Sequence, residues 1–100
     1  HGRVSANPVK RRATHAVDGT LEDFVCAGAT CMTDDGWCWI LSPSEQTTRV
    51  LAAGHRANLR PARLVLLYAR HRHRPFRTWH GFRSFDTPCE VVTASVWTRR

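Results

Sequence analysis

The sequence predicts an α+β domain, and three segments carry that prediction. Ser42-Pro43-Ser44-Glu45 places Ser at the N-cap, Pro at the first helical position and Glu at the third, a pattern that predicts a helix start. The apolar run at 63–69 has the length of one buried strand, although it also suits a short helix. Glu90 to Thr98 is rich in Val and Thr, as strands are. A helix followed by strands is the α+β order.

The first half of the chain is assigned in order. Residues 1–17 contain the basic run Lys10-Arg11-Arg12 and little periodicity, so we expect an extended basic arm. Residues 21–32 are apolar and suit either a strand or a short helix. Thr33-Asp34-Asp35-Gly36 is a turn signal. The helix after Ser42 is expected to continue until Gly54 ends it.

The second half predicts a sheet. Pro75 interrupts the chain, residues 76–85 alternate as a strand does, and Asp86-Thr87-Pro88 forms the next turn. We therefore expect a single domain over 1–100. It comprises the arm at 1–17, a helical half at 18–60 and a sheet half at 61–100.

Composition limits the function classes. One hundred residues with 42% hydrophobic content supply one core. No apolar run approaches the roughly 18 residues that a spanning helix needs, so no membrane partner is predicted. The net charge is +7, from 15 Lys and Arg against 8 Asp and Glu. Such a surface attracts phosphate, although an arginine bias from a GC-rich coding sequence produces the same charge.

Four cysteines, at positions 26, 31, 38 and 89, leave three interpretations open. They form two disulfides in a secreted protein, or they complete a metal site with a histidine, or they are reduced thiols of which one is reactive. The spacing C-x4-C-x6-C does not match a standard zinc site. We favour the reduced state and predict no metal site and no cofactor.

Cys38 is the candidate reactive thiol. It lies between Trp37 and Trp39, after an Asp-Gly turn and ahead of the predicted helix. A nucleophilic thiol needs an imidazole to lower its pKa, and His80 is the candidate base. The alternatives are a Cys38 buried as a small apolar residue and a His80 hydrogen-bonded to backbone.

The run Asp35-Gly36-Trp37-Cys38-Trp39-Ile40-Leu41 resembles the nucleophile segment of viral papain-like leader proteases, most closely those of arteriviruses, and Trp79-His80 resembles their Trp-His element. The resemblance implies a small papain-like domain, with one main helix after the nucleophile and an antiparallel C-terminal sheet. It also implies cleavage in cis of the chain's own polyprotein in the host cytoplasm, without a cofactor. Asp34 is then the candidate side chain near the oxyanion, and Asp86 the candidate for orienting His80.

A basic segment supports the main rival function. Arg70, Arg72 and Arg74 alternate with two histidines, so on a strand the arginines share one face and follow a phosphate backbone. Trp79, Phe82 and Phe85 lie close by in sequence and are candidates for stacking on unpaired RNA bases. A solvated loop is the plainer alternative, and a secreted, disulfide-stapled effector or toxin is a third function. The nucleic-acid-binding candidates are Arg70, Arg72, Arg74, Arg77 and Trp79.

Overall fold

A computed structural model describes residues 19–96, in which two helices lie against a four-stranded sheet. The coarse α+β prediction is confirmed. The predicted basic arm lies outside the described residues. The elements in chain order are α1 (Leu21–Thr30), β1 (Cys38–Pro43), a 3₁₀ turn (Ser44–Gln46), α2 (Thr47–Arg56), β2 (Arg60–Ala69), β3 (Pro75–Arg83) and β4 (Glu90–Val96).

The strand order in the sheet is β1-β3-β2-β4. The pairs β1·β3 and β2·β3 are antiparallel, whereas β2 and β4 are parallel. The sheet is therefore mixed, and the expectation of a purely antiparallel sheet is wrong. Because β2 and β3 are antiparallel, β3 ends beside the start of β2. The short segment 84–89 then takes the chain to the other side of β2, so β4 runs in the same direction as β2. The sheet also draws β1 from the half predicted to be helical.

Residues 21–32 were expected to form either a strand or a short helix, and they form helix α1 as far as Thr30. The hydroxyl oxygen of Thr20 accepts a hydrogen bond from the Asp23 backbone N–H at 3.1 Å, and the Asp23 carboxylate accepts one from the Thr20 N–H at 3.3 Å. This reciprocal capping box satisfies two amides at the helix start. Its sequence signature, Thr-x-x-Asp, was present and favours a helix.

Helix α2 confirms the predicted helix and corrects both of its ends. Ser42 and Pro43 are the last residues of β1, and the Ser42 hydroxyl donates to the Pro43 carbonyl at 3.1 Å instead of capping a helix. The helix begins at Thr47 and continues past Gly54 to Arg56. Asn58, with φ of 64°, reverses the chain after it.

The core lies between the helices and one face of the sheet. Gly54 permits the close approach of α2, because a Cβ there would lie 2.5 Å from Cε1 of Phe82. Phe82 is fully buried beneath it. Burial of the apolar core side chains supplies the main favourable contribution to the free energy of folding. The buried core residues are Val25, Cys38, Ile40, Val50, Ala53, Leu59 and Phe82.

The strands predicted at 63–69 and 76–85 correspond to β2 and β3, and the strand predicted at 90–98 corresponds to β4 as far as Val96. The extended arrangement considered for the arginines at 70, 72 and 74 is wrong. Residues 70–74 form the loop between β2 and β3, in which His71 has φ of 64° and the Arg72 N–H donates to the Ala69 carbonyl at 3.1 Å.

Candidate functional site

The thiol of Cys38 lies at the first residue of β1, where 7% of the residue is exposed. It packs against α1 at Gly28, since a Cβ on that glycine would be 2.9 Å from the sulfur. Burial raises the pKa of Cys38 to about 11, and the nearby thiol of Cys31 adds to the rise. At neutral pH this thiol is therefore protonated.

The imidazole of His80 is fully buried on β3. Its Nδ1 lies 2.9 Å from the Ile40 carbonyl, and its Nε2 lies 3.3 Å from the Thr47 hydroxyl. Burial lowers the pKa of His80, so the ring is neutral. Because a carbonyl only accepts, Nδ1 carries the proton and donates to Ile40, and Nε2 accepts from Thr47. Both ring nitrogens thus have partners other than the Cys38 thiol.

The sheet register places Cys38 opposite Phe82 and Ile40 opposite His80, so the predicted dyad shares one face of the sheet. The carboxylate of Asp86, expected near His80, is instead bound 2.9 Å from Nε of Arg60. Asp34, the candidate side chain near the oxyanion, is exposed, and its backbone carbonyl accepts a hydrogen bond from the Ser84 hydroxyl at 3.0 Å.

Within residues 19–96, both helices pack on the sheet face that carries Cys38 and His80. The opposite face has no helix against it in this part of the chain, and we call it the open face. Side chains alternate between the faces along each strand. Leu41 of β1 pairs with Trp79 of β3, which pairs with Val65 of β2, which pairs with Val92 of β4. An apolar row thus crosses all four strands. The open face comprises Trp39, Leu41, Val65, Leu67, Arg77, Trp79 and Val92.

Three tryptophans cluster on and beside this face. Trp39 and Trp79 meet edge to face with ring centroids 6.3 Å apart, and Trp37 stacks on Trp39 at 5.1 Å. Gly81 leaves room for Trp39, because a Cβ at Gly81 would lie 2.6 Å from that ring. Trp39 remains 42% exposed and Trp79 37%. Aromatic rings held in place yet open to solvent are characteristic of binding surfaces.

Positive charge lies on the same face of the sheet as Trp39 and Trp79. Arg77 is exposed on the open face, and its guanidinium carbon is 5.5 Å from the centroid of Phe76. The ion pairs recorded among residues 19–96 join Arg49, Arg56, Arg60 and Arg63 to carboxylates and do not include Arg77. The exposed loop at 70–74, which contains Arg70, Arg72 and Arg74, immediately precedes this strand.

Part of this surface was predictable from the sequence. Trp79 and Arg77 were candidates and do lie on the open face, whereas Phe82 belongs to the core. The exposure of Trp39 was not predicted. The sequence carried no signal for it, because residues 38–41 are all apolar, and the alternate burial over 38–43 is apparent only in the structure.

All four cysteines are free thiols. Residues 19–96 contain no cluster of three His, Cys, Asp or Glu side chains suited to a metal ion. Among the described helices, none is long and apolar enough to cross a membrane.

The fold and this surface define a two-layer α+β domain with one open sheet face. No family model matches the chain, and no curated protein matches it. One similar solved structure is described as a predicted O-methyltransferase from Agrobacterium tumefaciens, with 13% sequence identity and a TM-score of 0.59. The match covers 77% of this chain and 36% of that one, so the chain spans about a third of its length. At this identity the likeness concerns the fold alone.

Proposed function

We propose that the domain binds single-stranded nucleic acid across the open face of its sheet. The observation that carries the proposal is the pair Trp39 and Trp79, held against each other and yet 42% and 37% exposed. Arg77 leaves the same face of β3 two residues before Trp79. The Arg77 guanidinium donates to the Phe76 carbonyl at 3.1 Å and belongs to none of the ion pairs recorded among residues 19–96. Stacking rings and a guanidinium without a carboxylate partner are the two elements that bind a flexible polyanion.

The tryptophans supply the stacking. Each base of a single strand has a π-face, and stacking on a protein ring is worth about 1–3 kcal/mol per base. Trp39 packs over Gly81 and stacks against Trp37, so its side chain loses little conformational entropy when a base binds. In a duplex the bases are already stacked and paired, which is why this face suits a single strand.

The arginines supply the attraction to phosphate. The chain has a net charge of +7, and Arg77 lies beside the exposed loop at 70–74 with its three further arginines. A strand that crosses the tryptophans therefore meets positive charge at this end of the sheet. Because such contacts release counterions, affinity depends on salt.

Titration of a short single-stranded RNA, followed by tryptophan fluorescence, tests the proposal. We expect Trp79→Ala to weaken binding about 5- to 150-fold, the equivalent of one stacked base. Affinity should also fall as salt rises from about 50 to about 200 mM. Arg77→Ala should weaken binding and flatten the salt dependence.

Arg56→Ala is the matched control, because it removes the same charge from α2 in the helical layer. It should change the affinity less than Arg77→Ala does. Equal effects of the two arginine variants, or full binding by Trp79→Ala, would show that charge alone attracts the RNA and that the open face is not the site. The circular dichroism of each variant reports whether it has folded.

The papain-like protease is a second proposal, and the observation in its favour is the register that places Cys38 and His80 on one face of adjacent strands. Its requirement is a thiolate near neutral pH. The raised pKa of Cys38 and the hydrogen bonds of His80 to Ile40 and Thr47 count against that state.

Alkylation by iodoacetamide at neutral pH separates these alternatives. Cys26 and Cys89 are exposed and should react first, whereas the buried Cys38, with a pKa near 11, should react last. Mass spectrometry of peptides from a time course gives the order. If Cys38 reacts first, and His80→Ala slows it, the protease becomes the better account.

A further inference from the structure

A cavity of about 640 Å³ opens where the tryptophan cluster meets the segment that connects β3 to β4. A volume of this size falls within the range of about 300–1,000 Å³ that is usual for small-ligand sites. Its lining combines aromatic rings with one guanidinium, that of Arg83, which takes part in none of the ion pairs or hydrogen bonds described above. The lining includes Trp37, Ala62, Arg83, Phe85, Cys89 and Glu90.

Arg83 lies between aromatic rings in this cavity. Its guanidinium carbon is 4.6 Å from the ring centroid of Trp37 and 4.7 Å from that of Phe85. These contacts fix the plane of the guanidinium and leave its N–H edge for hydrogen bonds. Its Nε is buried and has no hydrogen-bond partner in the part of the chain that the structure describes.

The carboxylates near the cavity are bound to other arginines. Asp86 pairs with Arg60 at 2.9 Å, and Glu90 pairs with Arg63 at 2.9 Å. The ion pairs recorded among residues 19–96 do not include Arg83. A partly buried cation without an acidic partner favours an anion supplied by a ligand.

We propose that this cavity binds a phosphate monoester at the end of a nucleic acid strand, a proposal that rests on the single-strand binding proposed above. A guanidinium held in one plane presents a fork that matches two phosphate oxygens. A terminal monoester carries a charge of about −1.5 to −2 at neutral pH, more than a phosphodiester within the strand. Trp37 lines the cavity and stacks on Trp39 of the open face, so the proposed strand site and the cavity are adjacent.

The test compares one short RNA with a 5′-phosphate, with a 3′-phosphate and with hydroxyl ends, and adds adenosine monophosphate as the free nucleotide. We expect the wild-type protein to bind one phosphorylated form about tenfold more tightly than the hydroxyl form, in line with a hydrogen-bonded charge pair. Arg83→Gln should abolish this preference while it retains binding of the hydroxyl form. Arg83→Lys, which keeps the charge and loses the fork, should lose most of the preference.

Arg56→Gln, on the helical layer, is the control for charge and should keep the full preference. Equal affinity of the wild-type protein for all three strands overturns the cavity proposal and leaves strand binding intact. Binding of the phosphorylated strands and of adenosine monophosphate alike, without binding of the hydroxyl form, supports the phosphate site and overturns the proposed function. If none of the probes binds, both proposals are wrong.

Discussion

Replacing Phe82 by alanine is expected to lower the free energy of unfolding by about 3–5 kcal/mol, the usual loss for a large aromatic removed from a core. Phe82 is fully buried, packs against Gly54 of α2, and stacks near the ring of His80 with centroids 6.4 Å apart. Native domains are stable by only about 5–15 kcal/mol, so the variant should be close to unfolding. Urea denaturation, followed by far-UV circular dichroism, measures the difference.

Phe76→Ala is the matched control, because Phe76 is 37% exposed. Its loss should be far smaller, within about 1 kcal/mol. Phe82→Leu keeps most of the apolar volume and should fall between the two, which gives a measurable value even if Phe82→Ala does not fold. Similar losses for Phe76→Ala and Phe82→Ala would contradict the assignment of Phe82 to the core.

A second large effect is expected at His80, whose neutral ring is buried between Ile40 and Thr47. Burial lowers its pKa in the folded protein below the value of about 6.5 that it has when unfolded. Below that pH the unfolded chain binds more protons than the folded one, so the free energy of unfolding should fall as the pH drops from about 6.5. Above that value the contribution of His80 to stability is complete.

His80→Leu tests this account in two ways. It leaves the Ile40 carbonyl and the Thr47 hydroxyl without their imidazole partner, which should cost about 1–3 kcal/mol at neutral pH. It should also reduce the pH dependence of urea denaturation between about pH 5 and about pH 7. His73→Gln, in the exposed loop at 70–74, should leave that dependence nearly unchanged. An unchanged pH dependence in His80→Leu would assign the effect to another group.

Local signals were sufficient for much of the fold. The length of an apolar run located β2, alternation located β3, and β-branched residues located β4, because those preferences follow from the geometry of a strand. These local signals failed at the end of β1, where pairing with the distant strand β3 outweighs the helix-capping pattern. Ser42 and Pro43 look like a helix start, yet they pair with Thr78 and Arg77 of β3 and so extend β1. A capping pattern is a weak preference beside the hydrogen bonds of a sheet.

The site was harder to predict than the fold. A tryptophan is usually placed in the core, and only the sheet pairing shows that Trp39 faces solvent. The partner of His80 at Nε2, Thr47, is 33 positions away along the chain, beyond the reach of a spacing argument. The loop at 70–74 carries no Gly or Asn, so only the weaker left-handed tendency of histidine favoured the conformation of His71.

The pairing of β4 has a consequence for the order in which the protein assembles. Strands β2 and β3 are consecutive and form a hairpin, whereas β4 pairs with β2 across a longer stretch of chain, so we expect the hairpin to form first. Its side chains are largely exposed, with Val91 60% accessible, so little burial holds it in place. We therefore expect β4 to detach in transient local unfolding before the core unfolds. Its detachment exposes the edge of β2, which is then open to pairing with a strand from another molecule.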